Sequence, residues 1–159
     1  MANFFYVPAR QFMLTTGINW TSATLKAMLV MSDSTAGLEL RGTFLTGGTG
    51  FTVLDEMNGA GYTRQTLASV TVTDDTATGD LIVDCADINF GATISNGTRQ
   101  VKGAIIYLDG ASDAARRPLI WLDSVSNGPS FPYSPAGGPI NIVPGAKGIW
   151  RCRSVTALS

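Results

Sequence analysis

The sequence has no histidine, only two cysteines and few charged residues. Without histidine the chain lacks the commonest general base and the commonest zinc ligand, and a Ser-His-Asp triad is impossible. Charged residues make up 14% of the 159 residues, against about 25% in an average soluble domain. Because a solitary monomer relies on surface charge for solubility, this composition predicts a protein whose faces are covered by partners. We expect no enzymatic activity, no cofactor and no metal.

Long apolar runs and basic clusters are also missing. No run approaches the roughly 20 apolar residues that span a bilayer, so we expect no membrane partner. The net charge is −1 and the basic residues are scattered, which disfavours a nucleic-acid partner because phosphate binding needs a concentrated positive face. The first residues lack the basic segment of a signal peptide. Cys85 and Cys152 do not form a disulfide framework, and we expect buried, reduced thiols in a protein that folds in a reducing cytosol.

The hydrophobic pattern predicts a mainly all-β protein with one short N-terminal helix. Pro8 suits a first helical turn, residues 10–14 are good helix formers, and Gly17 supplies a C-terminal stop. Alternating or compact apolar runs predict strands elsewhere, at 25–31, 38–45, 67–73, 80–85, 101–108 and 119–125, with short final strands in 140–143 and 149–155. Asn96-Gly97 predicts a tight turn. Many short strands separated by turns indicate an antiparallel β-sandwich or a jelly-roll-like barrel.

One domain over residues 1–159 accounts for the whole chain, since 159 residues give no reason to expect two. Residues 104–108 are apolar on both faces, which is typical of a central strand covered on both sides. The segment 127–148 is rich in proline and glycine, and proline removes a ladder donor. We therefore expect most of that segment to be loop or sheet edge.

Motifs that carry chemistry are weak. Residues 47–50 (Gly-Gly-Thr-Gly) lack the Lys-Ser/Thr of a phosphate-binding loop and predict a surface loop. The acidic stretch lacks the spacing of a calcium-binding loop and is typical of ordinary turn chemistry; its members are Asp74, Asp75, Asp80, Asp84 and Asp87. The three tryptophans, Trp20, Trp121 and Trp150, are expected in the core or half-buried. Arg116-Arg117 indicates a solvated turn, with a salt bridge as the alternative.

Two aromatic segments are the candidate partner contacts. In residues 131–135 two aromatics lie on a stiff, proline-rich backbone, which suits either a lid over the core or an arm that docks on a neighbour. The apolar start of the chain is the second candidate. The predicted contact residues are Phe4, Phe5, Tyr6, Phe131, Pro132, Tyr133 and Pro135.

A series of short motifs resembles a group of small structural proteins of tailed bacteriophages. They occur in the order Gly17-Ile18-Asn19-Trp20, residues 25–30 (Leu-Lys-Ala-Met-Leu-Val), 59–64 (Gly-Ala-Gly-Tyr-Thr-Arg), 85–90 (Cys-Ala-Asp-Ile-Asn-Phe), 104–107 (Ala-Ile-Ile-Tyr) and 118–120 (Pro-Leu-Ile). The resemblance covers most of the chain, and the segment 127–148 has no match in it. Some members of that group resemble capsid cement, or decoration, proteins.

The resemblance implies a structural component that is made in the cytoplasm of the bacterial host and located in the virion capsid. We expect a capsid cement protein whose partners are the major capsid protein and further copies of itself, as a homo-oligomer. A tail, neck or fibre-attachment component of the same virion is the alternative. A glycan-binding or glycan-cleaving module is a third hypothesis, because jelly-roll folds host both activities.

Overall fold

The computed structural model describes residues 3–95, 99–124 and 131–152. They form a mainly β protein with antiparallel sheets and one short helix, which confirms the predicted fold class. The strands are β1 (Phe4–Phe5), β2 (Leu25–Met31), β3 (Gln65–Thr66), β4 (Thr71–Asp75), β5 (Asp80–Asp84), β6 (Ile88–Asn89), β7 (Ile94–Ser95), β8 (Val101–Leu108), β9 (Arg117–Leu122), β10 (Ala136–Gly138), β11 (Asn141–Ile142) and β12 (Trp150–Cys152). The sandwich or jelly-roll arrangement and the single-domain boundary stay predictions.

A five-stranded antiparallel sheet, in the order β1-β9-β8-β2-β3, holds the core. The β2–β8 pairing runs from Leu25 opposite Leu108 to Met31 opposite Val101. Six of the seven β2 residues and six of the eight β8 residues are buried. Continuous apolar runs therefore mark the two strands that are covered on both faces, as predicted for residues 104–108.

The indole of Trp121 on β9 is fully buried against neighbouring backbone. A Cβ atom at Gly103 would lie 2.5 Å from the Trp121 ring and 2.6 Å from the carbonyl oxygen of Leu122. Only glycine leaves room for the indole at this point on β8. Trp20 is also buried and Trp150 half-buried, so the placement predicted for the tryptophans is confirmed.

The helix α1 (Val7–Thr15) has Pro8 in its first turn, where a missing N–H costs nothing. At its end the N–H groups of Thr16 and Gly17 both donate to the carbonyl of Phe12. Gly17 has φ of +83°, the left-handed conformation that stops a helix. Both sequence signals for this helix are confirmed.

Three smaller sheets complete the described fold: β12-β5-β4, β10-β7 and β11-β6. Strands β10 and β11 lie inside the proline-rich segment 127–148, and each pairs with a single neighbour. This agrees with the prediction of loop and sheet edge for the described part of that segment, residues 131–148. The predicted Asn96-Gly97 turn lies outside the described residues.

The strand prediction for 38–45 was wrong, and that for 67–73 was right only for its last three residues. Residues 38–45 form turns rather than a strand, because the N–H groups of Leu38 and Glu39 fold back onto the carbonyl of Thr35. In 67–73 the alternation is interrupted at Ser69, which has φ of +52°, and the strand β4 begins only at Thr71.

Both cysteines are free, in keeping with the prediction of reduced thiols. Cys85 is buried, and burial raises the pKa of its thiol to about 12, with the charges of Asp84 and Asp87 adding to the shift. Cys152 is exposed, which corrects the prediction that both are buried. It lies in β12 at the edge of the three-stranded sheet, where β5 is its single described neighbour.

Candidate interaction surface

The aromatic residues at the start of the chain belong mainly to its own core. Phe5 is 7% exposed and its ring centroid lies 5.0 Å from that of Trp150. Tyr6 is fully buried, its hydroxyl donates to the carbonyl of Ala36 at 3.1 Å, and burial raises its pKa well above the usual value. Because this chain already covers both side chains, Phe4, which is half-buried, is the one left accessible of the three predicted contacts.

The aromatic segment 131–135 lies over the core. Tyr133 exchanges two backbone hydrogen bonds with Val101, at 2.7 and 2.9 Å, and the Phe131 and Tyr133 rings pack against buried residues. Pro135 is buried, whereas Pro132 is exposed. This geometry matches the interpretation of the segment as a lid over the core rather than as an arm that docks on a neighbour. A contact through the exposed side of Phe131 and Pro132 stays a prediction.

A different segment, residues 35–53, exposes apolar side chains around a cavity. Leu38 is 62% exposed and Leu40 48% exposed. They lie beside a cavity of about 570 Å³ whose lining runs from Leu38 to Thr43 and includes Thr49 and Gly50. Exposed apolar groups gathered at one cavity, rather than scattered singly, are the usual mark of a contact site.

Local hydrogen bonds turn these leucines outward. Between them, Glu39 accepts the backbone N–H of Thr52 through both carboxylate oxygens, at 3.2 and 3.0 Å. Partial burial works against ionisation, but hydrogen bonds from Thr35 and Thr52 outweigh it and lower the pKa of Glu39. The charged residue of the Leu-Glu-Leu pattern thus bonds to its own chain, and the two apolar residues face solvent.

A second cavity of about 280 Å³ adjoins the first through Thr43 and contains Arg117. The guanidinium of Arg117 lies 4.5 Å from the centroid of the Phe12 ring and 5.2 Å from that of Phe44. Such cation–π contacts fix a long side chain in place. Arg117 forms no ion pair with any residue in the described ranges. We define the groove as Leu38, Leu40, Arg41, Thr43 and Arg117.

The solvated turn predicted for Arg116-Arg117 was wrong. Arg117 begins strand β9, and Arg116 forms salt bridges to Asp109 at 2.8 Å and Asp113 at 2.7 Å. The alternative interpretation, a salt bridge, is correct for Arg116. The side chains of Arg116, Asp109 and Asp113 are each less than a third exposed.

Arg116 is part of an ionic cluster that lies on the five-stranded sheet. Its members are Lys26, Glu56, Arg64, Asp109, Asp113 and Arg116. The Arg64 guanidinium donates to both oxygens of Glu56 and to both oxygens of Asp113, at 2.6 to 2.9 Å. No sequence pattern predicts this cluster, because its members are spread along the chain with no motif spacing.

The cations of the cluster keep its two aspartates ionised. Hydrogen bonds from Arg64 lower the pKa of Asp113 to about 2, and hydrogen bonds from Lys26 and Arg116 lower that of Asp109 to about 2. A general acid needs a carboxyl group that still holds its proton near neutral pH. Neither aspartate does, and each instead fixes a cation in place.

The acidic stretch in 74–87 is partly neutralised by basic residues. Asp75 accepts a hydrogen bond from Lys147 at 3.0 Å, and Asp80 forms an ion pair with Arg151 at 3.2 Å. Across residues 3–95, 99–124 and 131–152, no three histidine, cysteine or acidic residues are placed to hold a metal ion. The same ranges contain no helix long and apolar enough to cross a membrane.

Comparisons with known proteins add no identification. No protein-family model matches the chain. No curated protein and no solved structure matches it either.

Proposed function

We propose that this chain is a capsid cement protein of a tailed bacteriophage, which bridges and stabilises subunits of the major capsid protein. The observation that carries the proposal is the groove, where exposed leucines and a preordered arginine lie together on a chain with few charges. Apolar area beside a fixed arginine is the composition of an interface centre. The motif order described above supports the virion as the location.

A bridging protein would stabilise the capsid because it buries surface in the closed capsid but not when the capsomers part. A capsid filled with DNA fails where neighbouring capsomers part. A protein that spans this seam buries area only in the closed state, and therefore shifts the equilibrium towards it. Because the contact is repeated by symmetry over the shell, modest interfaces add up to a large stabilisation.

A tail, neck or fibre-attachment role would use the same kind of surface and differ in copy number. The glycan-binding alternative has no observation in its favour. The large hydrophobic side chains that the described ranges leave exposed are leucines and valines, whereas sugar recognition commonly stacks on aromatic rings.

The first test is the copy number in purified virions, measured by quantitative mass spectrometry against the major capsid protein. A ratio of one, or a simple fraction of it, supports a role over the whole shell. A handful of copies would move the protein to the neck or tail, and its absence from virions would refute the structural role.

A matched pair of variants tests the groove itself. Leu40→Asp places a charge in the groove, whereas Leu14→Asp changes a helix residue that is 89% exposed and lines neither cavity. We expect Leu40→Asp to bind purified capsids lacking the protein at least tenfold more weakly, a change of roughly 1.4 kcal/mol, because the carboxylate replaces apolar contact area and pairs with the arginines that would otherwise meet the partner. Leu14→Asp should bind like the wild type. Equal binding by both variants would contradict the proposal.

A further inference from the structure

Three arginine side chains in the described ranges form no ion pair with a carboxylate. Six lysine and arginine side chains in the described ranges form salt bridges with carboxylates: Lys26, Arg64, Arg99, Arg116, Lys147 and Arg151. Lys102 donates to the carbonyl of Ser34 instead. The remaining three, Arg10, Arg41 and Arg117, pair with no carboxylate in these ranges.

These three arginines lie in the same part of the fold. Arg41 and Arg117 belong to the groove. Arg10 is on α1, whose first N–H donates to the carbonyl of Leu40 at 2.9 Å, but it does not line the second cavity. Glu39 keeps its negative charge while it accepts the N–H of Thr52, but the two groove arginines outnumber this one carboxylate, so the charge around the exposed leucines is positive.

The three-stranded sheet has the opposite character. Val72 is 41% exposed and Leu81 49% exposed. Asp74 lies directly opposite Leu81, and Val72 is two residues from Asp74 on the same strand, so the three side chains share one face. Asp74 is exposed and forms no ion pair within the described ranges. We define the acidic face as Val72, Asp74 and Leu81.

Two further features make this face suited to contact. β4 is an edge strand, paired in the described fold with β5 alone, and four of its five residues are exposed. An exposed edge strand is a surface that natural proteins usually protect or use. Asp87, a few residues after β5, is also exposed and without an ion pair in the described chain, so the local charge stays negative.

We propose that the groove of one copy of this chain binds the acidic face of a second copy. Each surface combines exposed aliphatic side chains with charge that the chain does not neutralise, and the two charges are opposite in sign. Leu38 and Leu40 would pack on Val72 and Leu81, while Arg41 or Arg117 pairs with Asp74. Complementary charge selects this arrangement over contact of either surface with its own copy, where like charges would meet.

The contact joins two different surfaces, so it is head to tail. Such contacts close into rings or continue as chains, unlike a two-fold dimer. The inference rests on the proposed use of the groove as a contact surface and names a second copy as its occupant, so that Leu40→Asp would weaken capsid binding by preventing assembly of the copies. It needs no capsid and can be tested on the purified protein.

The decisive experiment uses two charge reversals at exposed positions, Arg41→Glu and Asp74→Arg, with sedimentation velocity over a range of concentrations. The first variant keeps an intact acidic face and the second keeps an intact groove. We expect the wild type to self-associate and each variant alone to associate at least tenfold more weakly. An equimolar mixture should assemble again, because the intact groove of one variant meets the intact acidic face of the other, and the two reversed charges also attract each other.

The controls separate misfolding and other partners from the proposal. Gln100→Glu changes an exposed residue outside both surfaces and should assemble like the wild type. Circular dichroism spectra of all variants should match. A wild type that stays monomeric, variants that assemble unchanged, or a mixture that stays monomeric would each overturn the head-to-tail contact. Capsid binding by a monomeric wild type would leave the cement role standing and refute only this inference.

Discussion

The ionic cluster allows a sharp stability prediction at Arg64. Replacing it with leucine removes a cation that contacts Glu56 and Asp113 through four hydrogen bonds. Removing one partner of a fully buried pair costs about 3–5 kcal/mol, whereas an exposed pair is worth about 0.2–1 kcal/mol. The three side chains are 21% to 29% exposed, so we expect a loss of about 2–3 kcal/mol in the free energy of unfolding.

The assay is equilibrium urea unfolding, followed by tryptophan fluorescence. Arg99→Leu is the matched control, because Arg99 also bridges two carboxylates, those of Asp55 and Asp33, but is itself 40% exposed and contacts an Asp33 that is 76% exposed. Because solvent screens these ion pairs more strongly, Arg99→Leu should lower the free energy of unfolding by clearly less than Arg64→Leu does.

The pH dependence of the Arg64→Leu effect provides an independent check. Arg64 is the first cause of the lowered pKa of Asp113, about 2 in the folded protein against about 3.9 for an unperturbed aspartate. A lowered folded pKa stabilises the protein above the unfolded value and stops doing so as pH falls towards 2. After discounting for solvent screening, we expect the difference between wild type and variant to shrink by about 1 kcal/mol between pH 5 and 2. A pH-independent difference, or one equal to that of Arg99→Leu, would refute the reasoning.

Two further predictions concern the core and the thiols. Gly103→Ala should lower the free energy of unfolding in urea by about 2–3 kcal/mol, because its Cβ would overlap the Trp121 ring and the Leu122 carbonyl; an unchanged midpoint would contradict this packing. In the folded protein Cys152 should react with iodoacetamide at neutral pH, while Cys85, with a pKa raised to about 12 by burial, should react only after unfolding. Mass spectrometry of the labelled peptides checks this order, and labelling of Cys85 before Cys152 in the folded protein would contradict the prediction.

Sequence patterns located the parts of the fold that local composition determines. The helix α1 follows from Pro8 and Gly17, and β2 and β8 follow from long apolar runs. In these segments the same residues set both the local conformation and the burial, so reading the pattern was sufficient.

The candidate site could not be found in this way. Leu38 and Leu40 alternate with charged residues as in a half-buried strand, yet the structure turns that segment and exposes both leucines. The conformation depends on a hydrogen bond between Glu39 and Thr52, thirteen positions away. The ionic cluster is similarly non-local, since Arg64 and Asp113 lie 49 positions apart. Only the tertiary structure brings such partners together.

Backbone hydrogen bonds connect the ionic cluster to the segment that carries the groove, and they help to explain how a surface made of loops can bind a partner. The N–H of Leu45 donates to the carbonyl of Arg116 at 3.0 Å, and that of Thr46 donates to the carbonyl of Asp113 at 3.3 Å. The cluster thus holds residues 45 and 46, which follow the groove residue Thr43 in the chain. The first N–H of α1 holds the carbonyl of Leu40, on the other side of Thr43. A loop anchored at both ends loses less conformational entropy when it binds. The ionic cluster therefore helps to hold the groove in shape, and Arg41 and Arg117, which pair with no carboxylate in the described ranges, are left to meet a partner.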